Sequence, residues 1–75
     1  MANNYVSNWD KKRFEFITMR KRNKIKQIDI VNELHVSPNY ISNIELGHII
    51  PTVEYFEKMN NALERLIKLK NERQS

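Results

Sequence analysis

The strongest constraint on this 75-residue chain is how little it contains that stops a helix: one glycine, Gly47, and two prolines, Pro38 and Pro51. In a helix interior Gly costs about 1 kcal/mol and Pro about 3 kcal/mol relative to Ala. Their scarcity makes helices the default and their positions the boundaries. No segment carries the strict alternation of a half-buried strand. A chain this short holds one core, and without Cys neither a disulfide nor a thiolate metal site can reinforce it. The expected fold class is all-α, a compact bundle of four or five helices.

Local signals place the elements. Ser7-Asn8-Trp9-Asp10 has the spacing of a capping box, a hydroxyl to accept from a free N–H and a carboxylate three residues on. Helix 1 is predicted to start there, after a flexible N-terminal arm over 1–8. Phe16 and Met19, with Ile17 beside them, supply its apolar stripe, and Arg20-Lys21-Arg22-Asn23-Lys24 end it with cations that suit the negative helix terminus. Ile25 returns to the core. From Gln27, the apolar residues Ile30, Val31 and Leu34 mark one face of a short helix 2. In Val36-Ser37-Pro38, Ser37 can cap, and Pro38 at the first helical position gives up an N–H that had no partner. Helix 3 then runs to Leu46, burying Ile41 and Ile44 and exposing Asn39, Tyr40 and Asn43, until Gly47 closes it in a left-handed conformation. Thr52, after Pro51, caps the next helix with Glu54 in its first turn.

Two short helices joined by a three-residue turn, the second capped by Ser, have the geometry of a helix-turn-helix. The segment IKQIDIVNELHVSPNYISNIELG, Ile25 to Gly47, resembles the helix-turn-helix of phage Cro and repressor proteins and their XRE-like bacterial relatives. The correspondence runs without a gap from Phe16 to Leu63. Gln27, Leu34, Val36-Ser37, Ile41-Ser42, Ile44-Glu45 and Gly47 fall where that pattern places such residues. The resemblance implies a lambda-repressor-like domain over 9–63; the remaining residues, 64–75, are read from the sequence itself as a C-terminal helical extension.

It also implies roles. Gln27, opening helix 2, would donate to a backbone phosphate of double-stranded DNA. The first turns of helix 3 would lie in the major groove and face base edges, which nominates Asn39, Tyr40 and Asn43 beside Pro38 as base readers. Asn offers one acceptor and two donors to adenine N6 and N7, a bidentate match worth roughly 1–3 kcal/mol of discrimination. Arg20, Lys21, Arg22, Lys24, Ser37, Ser42 and His48 are the further candidates for phosphate. Arg20 and Glu45 stand where the family pairs an Arg of helix 1 with a Glu late in helix 3, so Glu45 is expected to be structural. Four positions depart from the pattern: His35 stands at the usual turn Gly, Val31 at a usual Ala, Lys26 at the usual Ser or Thr cap, and Pro38 removes a donor from the base-reading end. These predict a slightly strained turn and a different spacing between helices 2 and 3.

Charge is uneven along the chain. Residues 1–26 hold Lys11, Lys12, Arg13, Arg20, Lys21, Arg22, Lys24 and Lys26 against Asp10 and Glu15, whereas 27–57 hold acidic residues and no Lys or Arg. The segment 58–75 is basic again, within a net charge of +4. Basic edges flanking a neutral-to-acidic middle suit a surface that grips an anionic polymer, since each neutralised phosphate releases counterions. Other chemistry finds no support: His35 and His48 are the only His, without a helical pairing that would hold a metal. A single Gly rules out a Gly-rich phosphate loop, and a chain this small offers no cleft to organise a nucleophile. Neither an enzyme nor a cofactor is expected. No run approaches the roughly 18 apolar residues of a membrane span, nor does MANNYVSNWD carry the apolar core of a secretion signal. The expected location is the cytoplasm, and the resemblance implies a bacterial, phage or plasmid origin.

The C-terminal segment adds an expectation of its own. From Thr52 to Ser75 there is neither Gly nor Pro, so helix 4 either continues as one long element or breaks near Glu64 into helix 4 and a short helix 5. On a continuous helix, Phe56, Met59, Leu63, Leu66 and Ile67 form one stripe, while Tyr55, Ala62 and Leu69 recur every seven residues on its flank. The first stripe would cover the core. The second, with Leu66, would join two copies as a homodimer at Tyr55, Ala62, Leu66 and Leu69. The expected function is a sequence-specific transcriptional regulator, a repressor on a pseudo-palindromic operator. The alternative is a protein-interaction module, such as an antitoxin that neutralises a partner protein and also binds its own operator.

Overall fold

The computed structural model describes residues 4–74, the side chain of Gln74 excepted. Four helices follow one another: α1 Trp9–Arg22, α2 Gln27–Leu34, α3 Pro38–Glu45 and α4 Val53–Gln74. Among the described residues there is no strand, only an isolated antiparallel bridge between Tyr5 and Thr52. Ile30 of α2, Ile41 and Ile44 of α3, and Met59 and Leu63 of α4 are fully buried, and Phe16, Ile25 and Val31 pack with them. Trp9 meets Phe56 edge-on with ring centroids 5.2 Å apart, and Phe16 lies 6.1 Å from the same ring. Aromatic contacts of this kind add ~0.5–1.5 kcal/mol beyond burial alone, and here they seat the first turn of α4 on α1.

Helix termini follow from local chemistry, with two corrections. The Ser7 capping box does not form. Asn8 takes the cap position in a left-handed conformation (φ 52°) without a side-chain bond, which moves Asp10 out of the box register. Its carboxylate accepts from Arg13 Nη2 at 3.1 Å instead. Ser37 does sit at the α3 cap with extended backbone and Pro38 follows at the first helical position, but the Ser37 hydroxyl makes no capping bond. At α2, Lys26 has no acceptor to offer. The Asp29 carboxylate closes the end from the other side, accepting the Lys26 N–H at 2.9 Å. Gly47 (φ 87°) ends α3 as expected, with His48 N–H donating to the Asn43 carbonyl at 2.9 Å and Gly47 N–H to the Ile44 carbonyl at 3.1 Å. This reciprocal pair satisfies two carbonyls that the helix end leaves open. Thr52 Oγ1 accepts the Tyr55 N–H at 3.1 Å and starts α4.

The first residues are not a free arm. Val6 N–H donates to the Pro51 carbonyl at 3.0 Å, Val53 N–H to the Asn4 carbonyl at 2.7 Å, and Val6 is buried in the core. The expected arm over 1–8 is therefore corrected for residues 4–8; residues 1–3 lie outside the described residues. Met19 is also displaced from its expected place. The inner face of α1 is Trp9, Arg13, Phe16 and Arg20, one helical stripe, and Met19 is left about half exposed.

α4 is a single helix through Asn60-Asn61 to Gln74, at ~1.5 Å per residue some 33 Å long. Nothing in its sequence removes a backbone donor, and Asn costs a helix only a few tenths of a kcal/mol more than its neighbours. It packs along α2, where Arg65 and Glu33 pair. Both of its apolar stripes meet the rest of the chain. Phe56, Met59 and Leu63 fill the core, while on the flank Ala62 is 2% exposed and Tyr55 is half-buried against Tyr40. Ala62 is thus withdrawn as a dimer contact, since its own core already covers it.

Candidate nucleic-acid interface

α2 and α3 are joined by His35, Val36 and Ser37. His35 takes the left-handed conformation (φ 57°, ψ 48°) and its N–H donates to the Val31 carbonyl, so a His occupies the backbone state that favours Gly. Val36 packs against the core, and its N–H also reaches the Val31 carbonyl, at 3.3 Å. The turn is held by one apolar side chain and two backbone bonds. It fixes how α3 leaves α2.

The far end of α3 is fastened by Glu45. Its carboxylate takes a bidentate pair from Arg20, Nε at 2.9 Å and Nη2 at 2.6 Å, and a third bond from Gln27 Nε2 at 2.9 Å. Arg20 Nη1 also donates to the Ile25 carbonyl at 2.9 Å. One carboxylate therefore ties α3 to α1 and α2. Two parallel charge-assisted bonds constrain angle as well as distance, so the pair sets the pitch of α3 against the other helices. It also corrects one expectation: the Arg20 side chain is 7% exposed and committed to Glu45 and Ile25, which removes it from the phosphate contacts. Gln27 is half-buried, with one amide N–H spent on Glu45. Its second amide N–H has no bond to a described residue.

Arg13 is a part of this arrangement that the sequence reading missed. Its Nη1 donates to the Glu45 main-chain carbonyl at 3.0 Å and its Nη2 to Asp10. A cation here faces the negative end of α3. The guanidinium lies under Gly47, where a Cβ would stand 3.2 Å from Arg13 Cζ, so Gly47 serves both the left-handed turn and the close approach. The available signal was helical phase: Arg13 and Arg20 share the stripe of Trp9 and Phe16, where period alone demands apolar residues.

With Ile41 and Ile44 pointing inward, a period of 3.6 turns Asn39, Ser42, Asn43 and Leu46 outward. Asn39 and Pro38 are exposed, while Asn43 and Ser42 are half-buried. Tyr40 stands at the flank of this face, half-buried, with its ring 5.4 Å from that of Tyr55. Burial, and next the neighbouring Tyr40, hold the Tyr55 hydroxyl above its ordinary pKa of 10.0, and that hydroxyl finds no partner among the described residues. Leu46 is exposed on the outward face, and the spacing Asn39, Asn43, Leu46 was the signal that could have nominated it. Ser37 and His48 are exposed at the two ends of α3, and Lys21, Arg22 and Lys24 are exposed beside the start of α2. The outward face of α3 thus combines amides and one apolar side chain.

Comparison with known families agrees with this geometry. A family model described as a helix-turn-helix domain matches residues 13–73, most of the chain. No curated protein and no solved structure matches it significantly. No helix among the described residues is long and apolar enough to cross a membrane. A turn built on His35, a helix α3 clamped by Glu45 and a family match over most of the sequence converge: the chain belongs to the helix-turn-helix domain family, of the Cro and phage-repressor (XRE-like) type, and is a DNA-binding regulator.

Proposed function

We propose that the protein is a sequence-specific transcriptional repressor that binds a pseudo-palindromic operator as a homodimer and blocks a promoter by occupying it. The observation that carries the reading is the clamp on α3. A helix fastened at its C-terminal end to both α1 and α2 through Glu45 presents its outward face at a fixed angle. Fixed geometry is what base-edge recognition requires, because hydrogen bonds discriminate only when donor and acceptor align. Asn39 and Asn43 are the base readers, with Leu46 available to a thymine methyl and Tyr40 limited to the flank by its packing on Tyr55. Gln27, Lys21, Arg22, Lys24, Ser37, Ser42 and His48 contact phosphate. Dimerisation uses the C-terminal half of α4, where Leu69 is exposed and Leu66 only partly covered. Two copies then place their α3 helices one DNA turn apart.

The test is binding to duplex DNA by the wild type and by Asn39→Ala/Asn43→Ala. The variant keeps its fold and its weak general affinity but loses preference among sequences. Retained preference refutes the reading face. Light scattering that finds a monomer at tens of micromolar, with and without DNA, refutes the dimer alone.

A further inference from the structure

The last turns of α4 return to the connection between α1 and α2, and the contact is made by a cation: Lys70 Nζ donates to the Lys24 carbonyl at 3.0 Å. Around this bond lies a cleft of about 190 Å³ lined by Arg22, Asn23, Lys24, Lys70 and Asn71. It adjoins a groove in which Lys24, Lys70 and Arg73 stand beside Asp29 and beside Leu66 and Leu69, the residues assigned above to the dimer. Lys24 adopts a left-handed conformation (φ 59°) in the tight turn that ends α1. Four cations from two distant parts of the chain thus meet on one surface.

Their electrostatics are unbalanced. No ion pair joins Arg22, Lys24, Lys70 or Arg73 to a carboxylate among the described residues. Asp29 lines the adjoining groove and keeps its charge while accepting the neutral Lys26 N–H, so four cations face one carboxylate across the two clefts. Packing like charges together opposes folding weakly in water, and the opposition reverses when a polyanion occupies the surface. The stretch Arg22 to Lys24 ends three residues before Gln27, the residue assigned above to the DNA backbone. The occupant that matches a row of cations continuing from a phosphate contact is the same DNA backbone, farther along.

We propose that the C-terminal turns of α4 are a second phosphate-binding element. Lys70 and Arg73 join Arg22 and Lys24 to hold the DNA backbone on the dyad side of the half-site that α3 reads, beside the Leu66 and Leu69 contact between copies. This rests on the DNA-binding function proposed above and adds a contact that the helix-turn-helix itself does not contain. The continuity of α4 acquires a purpose from it, since a helix broken near Glu64 would not deliver Lys70 to Lys24.

The experiment is a salt titration of binding to a fluorescein-labelled duplex of random sequence, long enough to exceed one half-site on both sides. It requires no knowledge of the operator, because the phosphate contribution is independent of sequence. Each lost phosphate contact lowers the slope of log K against log salt by ~0.9, so Lys70→Gln/Arg73→Gln reduces it by ~1.8 for each bound protomer. Arg73→Gln alone, which breaks no hydrogen bond to a described residue, reduces it by ~0.9 and keeps the test valid if Lys70→Gln loosens the fold. Lys58→Gln/Lys68→Gln removes the same charge from positions of α4 that line neither cleft and leaves the slope unchanged. An unchanged slope in the Lys70/Arg73 variants overturns the proposal, as does an equal fall in the Lys58/Lys68 control, which assigns the effect to net charge. A wild type that binds no duplex at all overturns the DNA-binding function itself, a distinct result.

Discussion

Replacing Glu45 with Ala removes the anion that faces Arg20, Gln27 and, through the backbone, the end of α3. The Arg20 guanidinium then keeps only its bond to the Ile25 carbonyl while remaining in a site that leaves 7% of its side chain exposed. Breaking a buried pair by removing one partner costs ~3–5 kcal/mol, because the surviving charge is neither hydrated nor paired. At ~0.05–0.15 kcal/mol per residue, a domain of this size has a total stability of about 4–11 kcal/mol. The loss is thus about half of what holds the fold. At ~4–8 °C per kcal/mol for a domain of this length, Tm falls by at least ~12 °C. The companion variant, Arg20→Met/Glu45→Met, removes both charges and fills the site with apolar atoms. It recovers at least ~2 kcal/mol of the loss, since a hydrophobic pair of similar volume is neutral or better than a buried ion pair. Urea denaturation followed by circular dichroism measures both. In the double variant Gln27 has lost its acceptor, so DNA affinity falls ~3- to 10-fold although the fold is intact, in line with ~0.5–1.5 kcal/mol for one hydrogen bond. A single variant that costs less than ~1 kcal/mol, well below the expected range for a buried pair, refutes the argument. So does a double variant as unstable as the single.

Tyr55→Phe deletes a buried hydroxyl with no partner among the described residues, so stability is unchanged or rises by up to ~1 kcal/mol. The wild type also weakens in alkali. With the folded-state pKa raised above 10.0 by burial and then by Tyr40, the phenol's contribution is complete below pH 10 and is lost as pH climbs through the folded value. Tyr55→Phe flattens that alkaline limb, and an identical limb in both proteins counts against the assignment. Gly47→Ala forces a left-handed residue to carry a Cβ and costs ~1–2 kcal/mol. Part of this is contact with Arg13, so Arg13→Met/Gly47→Ala loses less than the two single variants together, and strict additivity in a double-mutant cycle contradicts the close approach. His35→Gly relieves the positive φ of the turn and raises the urea midpoint by the equivalent of ~0.5 kcal/mol, the net of left-handed strain and glycine entropy; a lower midpoint shows that the turn is unstrained.

The parts of this fold legible in the sequence are those fixed by neighbours in the chain. Ser37-Pro38 and Gly47 bracket α3 because a proline and a left-handed glycine act on their own backbone, and α4 runs on to Gln74 because nothing in it removes a donor. What the sequence hid depends on distant partners. Val6 is pinned by the Pro51 carbonyl, and such backbone pairing leaves no mark on residue type. The resemblance gave the Arg20–Glu45 pair, but not that burying it would take a core position of α1 and leave Met19 outside. The second stripe of α4 was read correctly as periodic, yet periodicity shows that a face is apolar without showing what covers it. Ala62 and Tyr55 are covered by the same chain, and Leu69 is not. On the outward face of α3, Asn39 and Asn43 follow from the phase of Ile41 and Ile44, whereas the place of Tyr40 at its flank required the position of Tyr55 to be known.

The central claim is that α3, held by the Glu45 clamp, reads a defined DNA sequence. Selection of bound duplexes from a random pool by this 75-residue chain tests it most directly. The account predicts enrichment of one half-site, repeated with inverted orientation at a spacing of about one helical turn, with adenines where Asn39 and Asn43 reach the base edges. A pool that emerges without sequence enrichment, although the protein binds it, contradicts the claim.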